Sequence, residues 1–184
     1  VAQIGSGGNL LVVSPSVPVK NLQEFIAYIK SKPANELAYA SWGDGSGGHL
    51  TMEALLQRAG GLKMRHIPYK STPAMVTDLL GGHIQISFLG IATGVPLVQS
   101  GKLRALAVSG SHHIAQLPDV QTMTEQGIPF DMDSWYAAIA PAGTPPAIVD
   151  RLNKEVNRLM VAPEMAEQIK KIGFEAFPAN TPAQ

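Results

Sequence analysis

Cysteine is absent from this 184-residue chain, so disulfides, thiolate nucleophiles and cysteine-ligated zinc are excluded. Charge is scarce: Asp, Glu, Lys and Arg make up 15% of the residues, and fourteen basic side chains balance fourteen acidic ones. Without net charge there is no long-range field to hold nucleic acid or an anionic membrane, and any charged ligand must be recognised locally. No apolar run reaches the roughly 18 residues that a membrane span needs. No segment repeats at a period of about 20 to 50 residues and none is of low complexity, which excludes solenoid and fibrous architectures. The start, Val1-Ala2-Gln3-Ile4, has no basic region followed by an apolar stretch, so a secretion leader is expected to lie upstream or to have been removed.

What is present is 45% hydrophobic residues together with eighteen Gly and fourteen Pro, the composition of a folded globule of one or two domains with many turns. Hydrophobic runs and helical periodicities alternate along the chain. Leu10 to Ser14 reads as a strand, and Asn21 caps a helix whose inner face carries Leu22, Phe25, Ile26 and Ile29, with Glu24 placed for a capping box. Leu37 to Ser41 is a strand, followed by a helix with Met52, Leu55, Leu56 and Ala59 on one face and Gly60-Gly61 at its end. Met64 to Tyr69 is the next strand, and Thr72-Pro73 open a helix carrying Met75, Val76, Leu79 and Leu80.

Strands are expected at His83 to Phe88, with Ile84, Ile86 and Phe88 sharing a face, and at Leu103 to Val108, with a short helix near Pro96 to Ser100 between them. A short helix near Thr122 to Gln126, a strand at Ser134 to Ala140 and a long helix from Pro145 follow. That helix places Ile148, Leu152, Val156 and Leu159 on its inner side. A helix at Pro163 to Ile172 and a strand at Phe174 to Phe177 end the chain. This alternation predicts an α/β fold with mainly parallel sheets, in which ligands sit beyond the carboxyl ends of strands.

The segment Ser41-Trp42-Gly43-Asp44-Gly45-Ser46-Gly47-Gly48-His49-Leu50 lies between a strand and a helix start. Gly43, Gly45 and Gly48 fit the dinucleotide fingerprint, but no carboxylate occurs between Glu53 and Asp78 to bind a ribose. A phosphate loop fails because His49 and Leu50 follow the last glycine. A nucleophile elbow fails because Asp44 stands two residues before Ser46. A serine hydrolase would have to assemble Ser46, His49 and Asp44 within one short loop. The remaining chemistry is an anion cradle: backbone amides of Gly45 to Gly48 at the positive end of a helix, with Ser46 and His49 as further donors. The alternative is a tight turn whose glycines serve only backbone geometry.

The five His, at 49, 66, 83, 112 and 113, show no metal-ligand spacing, so no metal is expected, and His66 is read as a core or edge residue. No pair of carboxylates is spaced for general acid and base.

Together with Gly43 to Leu50, the blocks His66-Ile67-Pro68-Tyr69-Lys70-Ser71-Thr72-Pro73-Ala74, Asp78-Leu79-Leu80-Gly81-Gly82, Gly101 to Val108, Leu117-Pro118-Asp119-Val120 and Ala140 to Pro145 resemble the Bug family over essentially the whole chain. These are extracytoplasmic solute-binding proteins of tripartite tricarboxylate transporters. The resemblance implies a type 2 periplasmic-binding-protein fold of two α/β lobes, the first incomplete in this chain. Residues 1–8 would end the first lobe and begin the crossover, 9–131 would form the second lobe, and 132–184 would return to the first.

It further implies a monomeric periplasmic receptor, not an enzyme and without cofactor, that passes a small organic carboxylate, with an aromatic acid or a dicarboxylate as candidates, to a membrane permease. Its ligand would be met by Gly45, Ser46, Gly47, Gly48 and His49, by Tyr69, Lys70 and Ser71 at the next strand end, and by Leu89 and Trp135. Two positions depart from the family pattern. Asp44 stands where Asn is frequent and would repel a carboxylate, and Leu89 stands where Asp is frequent, which favours an apolar or aromatic acid over an amino acid.

Overall fold

A computed structural model of the chain describes residues 1–130, 132–171, 175–176 and 180–181. It divides into two compact units, Gly8–Met132 and the combination of Val1–Gly7 with Asp133–Gln184. After a first strand, β1 (Ala2–Gly7), which belongs to the smaller unit, the chain enters the larger one. There it forms β2 (Asn9–Val13), α1 (Leu22–Lys30), β3 (Ala38–Ser41), α2 (Gly47–Arg58), β4 (Arg65–Pro68), α3 (Thr72–Leu80), β5 (Ile86–Gly90), α4 (Ile91–Gln99) and β6 (Arg104–Val108).

The sheet of the larger unit has the order β4-β3-β5-β2-β6. β3 is parallel to β4 and β5, whereas β2 runs antiparallel to both neighbours. Every residue of β2 is buried, and alternate side chains feed two cores. Leu11 and Val13 join α1 and α2 through Phe25, Met52 and Leu55, and Leu10 and Val12 join α3 and α4 through Met75, Leu79 and Ile91. Helices thus cover both faces of the sheet, and the inner strands β2 and β5 read as continuous apolar runs because neither of their faces meets water, whereas the edge strand β4 is partly exposed.

The helix starts follow the sequence signals. Asn21 Oδ1 accepts from Glu24 N at 2.8 Å, but the Glu24 carboxylate turns to Lys20 N, one residue earlier than a capping box places it. Other expectations are corrected. Ile84 joins the α3 side while Ile86 and Phe88 join the α1 side, because residues 83–85 precede the strand and do not share its pleat. α4 starts at Ile91, directly after β5, and not near Pro96. Residues 123–127 form turns around an isolated bridge between Val108 and Thr122, where a helix is expected.

The smaller unit contains β1, β7 (Ser134–Ala138), α5 (Pro146–Met160), α6 (Pro163–Lys171) and β8 (Glu175–Ala176). Its sheet, β7-β1-β8, is antiparallel at both pairings, and in the larger unit β3 is parallel to β4 and β5 while β2 is antiparallel to β5 and β6, so the described sheets are mixed where mainly parallel ones are expected. Ile172, Phe174 and Phe177, expected in the last helix and strand, lie outside the described residues. The expected inner stripe of α5 is displaced: Ile148, Leu152 and Leu159 are exposed, and the buried positions are Asn153 and Met160. The cause is polar. Asn153 Nδ2 donates to Val1 O at 2.7 Å and Asn180 O at 2.9 Å, and the Asn180 side chain pairs with both backbone groups of Gln3. These amides turn α5 toward main-chain groups that would otherwise be buried without partners.

Candidate functional site

β3 ends at Ser41, and its buried hydroxyl shapes the turn that follows by accepting from Gly43 N at 3.2 Å and lying 3.0 Å from Gly43 O. Gly43 and Gly45 have φ of +120° and +73°, conformations that a Cβ disfavours. Ser46 caps α2, accepting from His49 N at 3.4 Å. Two amides of the expected cradle are engaged internally. Gly45 N donates to His49 Nδ1 at 3.0 Å, and Ser46 N donates to Gly43 O at 3.2 Å. The Gly47 and Gly48 amides have no acceptor among the described residues' hydrogen bonds. The four-amide cradle therefore narrows to two N–H groups in the first turn of a twelve-residue helix, beside the Ser46 hydroxyl.

The Ser46, His49 and Asp44 relay does not assemble, since His49 offers Ser46 its backbone and turns its ring to Gly45. A different set meets instead. His66 Nε2 lies 2.6 Å from Ser41 Oγ and His66 Nδ1 lies 3.3 Å from Asp44 Oδ1. The order resembles a hydrolase relay, but Ser41 has no exposed surface for a substrate carbonyl to approach.

His66 is the site residue that sequence reasoning leaves out. Its ring stacks on His49 at 3.9 Å and 6°, and on Tyr39 at 5.1 Å and 25°. The legible signal was strand register: parallel pairing of β3 with β4 sets Tyr39 opposite His66. Burial, and then the neighbouring His49, hold the His66 pKa below the usual imidazole value against the pull of Asp44 and Glu53, so the ring is neutral near neutral pH. Tyr39 is pushed up by burial and by its 2.6 Å hydrogen bond to Glu53, so the phenol stays protonated. Although their sequence spacing suggested no metal, Asp44, His49 and His66 bring one donor atom each within 4.8 Å of one another.

The second junction lies beside the first, because Tyr69 N donates to Ser41 O at 2.9 Å. Lys70 and Ser71 are exposed there, and Ser71 caps α3. Tyr69 departs from its expected role. Its hydroxyl donates to Asp78 Oδ2 at 2.7 Å, and its ring packs along the α3 side of the sheet. Burial, followed by the Asp78 contact, pushes its pKa up to about 12. Leu89 is corrected outright: it is fully buried in the core with Leu10 and Ile91 and has no face to offer a ligand. Trp135 belongs to the smaller unit, where it is 65% exposed and lines a groove of about 300 Å³ with Gln3, Ile139 and Asn180.

Trp42, also unassigned by sequence, leans on the first turn of α2. A Cβ on Gly48 would lie 2.7 Å from its ring, so glycine at this position lets the indole sit beside the free amides. The arrangement can bind an anion through main-chain dipoles and the Ser46 hydroxyl, and it holds no exposed nucleophile matched to a base.

Comparison with known proteins bears on the family and the fold. The family model described as "Tripartite tricarboxylate transporter family receptor" matches residues 1–184. The UPF0065 protein in the gbd 5' region of Cupriavidus necator is 37% identical over 93% of this chain and 51% of its own length. The solved structure of R. palustris Rpa4515 with adipate aligns with a TM-score of 0.91 and 31% identity, over all of this chain and 60% of that one. MatC (Rpa3494) from Rhodopseudomonas palustris with bound malate aligns with a TM-score of 0.86 and 27% identity, over 99% and 61% of the two chains. The chain spans about half the length of the curated relatives it matches. A family match along the whole sequence, together with this likeness of fold, shows that the chain belongs to the tripartite tricarboxylate transporter receptor family, with a type 2 periplasmic-binding-protein fold.

Proposed function

We propose that the chain carries the ligand-binding lobe of a periplasmic receptor that captures a small organic carboxylate and delivers it to the permease of a tripartite transporter. The observation that carries this reading is the pair of unpartnered amides of Gly47 and Gly48 at the start of α2, beside the Ser46 hydroxyl. Main-chain donors at a helix N-terminus favour a carboxylate without performing chemistry on it. Lys70 and Ser71 stand at the adjoining strand end as further donors. In this assignment Gly8–Met132 is the second lobe, and the smaller unit is the part of the first lobe that this chain contains. The protein acts as a monomer, as a receptor and not an enzyme. Relatives solved with adipate and malate favour a dicarboxylate.

Magnitudes set the expected behaviour. Charge-assisted hydrogen bonds contribute about 1.5 to 3 kcal/mol each, whereas lost translational and rotational freedom costs about 4 to 15 kcal/mol. Two amides and a hydroxyl therefore bind weakly alone. Micromolar affinity, about −8 kcal/mol, requires a second wall and expulsion of water. Calorimetric titration of adipate and malate into this chain and into the full-length protein tests the proposal. The full-length protein should bind at least one of them in the micromolar range, this chain far more weakly, and Ser46→Ala should weaken binding in the full-length protein. Failure of the full-length protein to bind any mono-, di- or tricarboxylate would overturn the assignment, as would turnover of an activated ester that Ser46→Ala abolishes.

A further inference from the structure

Asp44 poses a difficulty for an anion-binding loop. Its carboxylate is 80% exposed and stands two residues before the N-cap of α2, where negative charge repels an incoming acid. It also faces His66 Nδ1 at 3.3 Å, next to the ring of His49. We propose that Asp44, His49 and His66 form a binding site for a divalent transition-metal ion of zinc's class, with one carboxylate oxygen and two imidazole nitrogens as protein ligands and the remaining coordination positions open.

The donor set suits such an ion, since zinc takes imidazole nitrogen and carboxylate oxygen at about 2.0 to 2.2 Å. Tetrahedral ligands at that length lie roughly 3.3 to 3.6 Å apart, so donors within 4.8 Å need only a modest contraction. The exposed Asp44 side chain can swing to supply part of it.

His66 has the support expected of a metal ligand. Its far nitrogen, Nε2, lies 2.6 Å from Ser41 Oγ, and Ser41 Oγ in turn lies 3.0 Å from Gly43 O. With the serine proton on Gly43 O, Nε2–H donates to Ser41 and the Nδ1 lone pair points toward Asp44. A far-side hydrogen bond of this kind fixes the tautomer and orientation of metal-bound imidazoles.

The two rings are face to face, and parallel rings cannot both aim in-plane lone pairs at one ion, so binding requires one of them to turn. His66 is clamped between Ser41 and the Tyr39 ring, whereas Nδ1 of His49 holds only the amide of Gly45. His49 therefore turns, and in turning releases the Gly45 N–H. Metal binding would thus free a third main-chain donor and offset the charge of Asp44. That consequence rests on the carboxylate reading; the metal site itself does not.

The test uses this chain, stripped of metal by a chelator and dialysed, near neutral pH and without any carboxylate. Zinc chloride titrated by calorimetry should bind with one-to-one stoichiometry, weakened roughly tenfold or more in Asp44→Asn and in His49→Gln and unchanged in His83→Gln. Cobalt chloride should give the visible absorption of a low-coordinate nitrogen and oxygen site in the unaltered chain. Nitrogen NMR of the unaltered chain, which needs no variant to fold, should show Nδ1 of His66 shifted by zinc while Nε2 keeps its proton. Zinc affinity unaffected by both substitutions, perturbation at His112 and His113 instead of His66, or no zinc binding would each overturn the proposal, and none of these outcomes bears on carboxylate capture.

Discussion

The ring of Trp42 lies so close to Gly48 that a Cβ added there would stand 2.7 Å from Cζ3 and 2.9 Å from Cη2. Gly48→Ala should therefore push the indole or the first turn of α2, with a stability cost of about 1 to 3 kcal/mol typical of overpacking. Urea denaturation followed by tryptophan fluorescence reads both effects. A variant as stable as the parent, with an unmoved emission maximum, would show that the indole is not held there.

Leu89 separates a core role from a ligand role. Fully buried with Leu10 and Ile91, it should cost about 2 to 5 kcal/mol when cut to alanine. A loss under about 1 kcal/mol in chemical denaturation would return the side chain to a surface.

Tyr69→Phe should remove the hydrogen bond to Asp78 and lower stability by about 0.5 to 1.5 kcal/mol. Carboxylate affinity of the full-length protein should be unchanged. Because the folded phenol titrates at about 12 and the unfolded one near 10, its contribution is complete below 10 and is lost as pH rises through 12. A calorimetric loss of carboxylate binding in Tyr69→Phe would restore the hydroxyl to the ligand site.

His113 gives a titration remote from the loop. Its Nε2 contacts Glu125 Oε1 and Oε2 at 2.8 Å, and its Nδ1 lies 3.1 Å from Pro118 O, so both ring nitrogens face acceptors. The Glu125 bond, and then the Pro118 carbonyl, raise the pKa of His113 above the ordinary 6.5, while the bond from His113 lowers Glu125 below 4.5. The histidine's share of stability is complete below 6.5 and lost as pH rises through its folded value. The carboxylate's share is complete above 4.5 and lost as pH falls through its own. The pair therefore contributes most between about 4.5 and 6.5. Proton NMR should find the His113 midpoint above 6.5 and falling toward it in Glu125→Gln; identical midpoints in parent and variant would rule the contact out.

Much of this was written locally. The N-caps at Asn21, Ser46 and Ser71 and the buried faces of α1 and α2 depend on residues within a few positions of one another, where side-chain type and helical period act directly. The glycine turn before α2 was visible for the same reason: Gly43 and Gly45 adopt backbone angles that few other residues tolerate.

What chain-local physics could not supply was the destination of each polar group. The Gly45 amide goes to an imidazole four residues on, the Tyr69 hydroxyl to Asp78, and the amides of Asn153 to main-chain oxygens more than twenty residues away. Each choice turns on which partner becomes buried nearby. His66 entered the loop's company through the register of β4 against β3, and Leu89 left it because β5 is covered on both faces. Caps, turns and apolar periods are properties of short stretches. Assigning donors to acceptors is a property of the assembled fold, because the cost of leaving a polar group unsatisfied arises only once water is excluded.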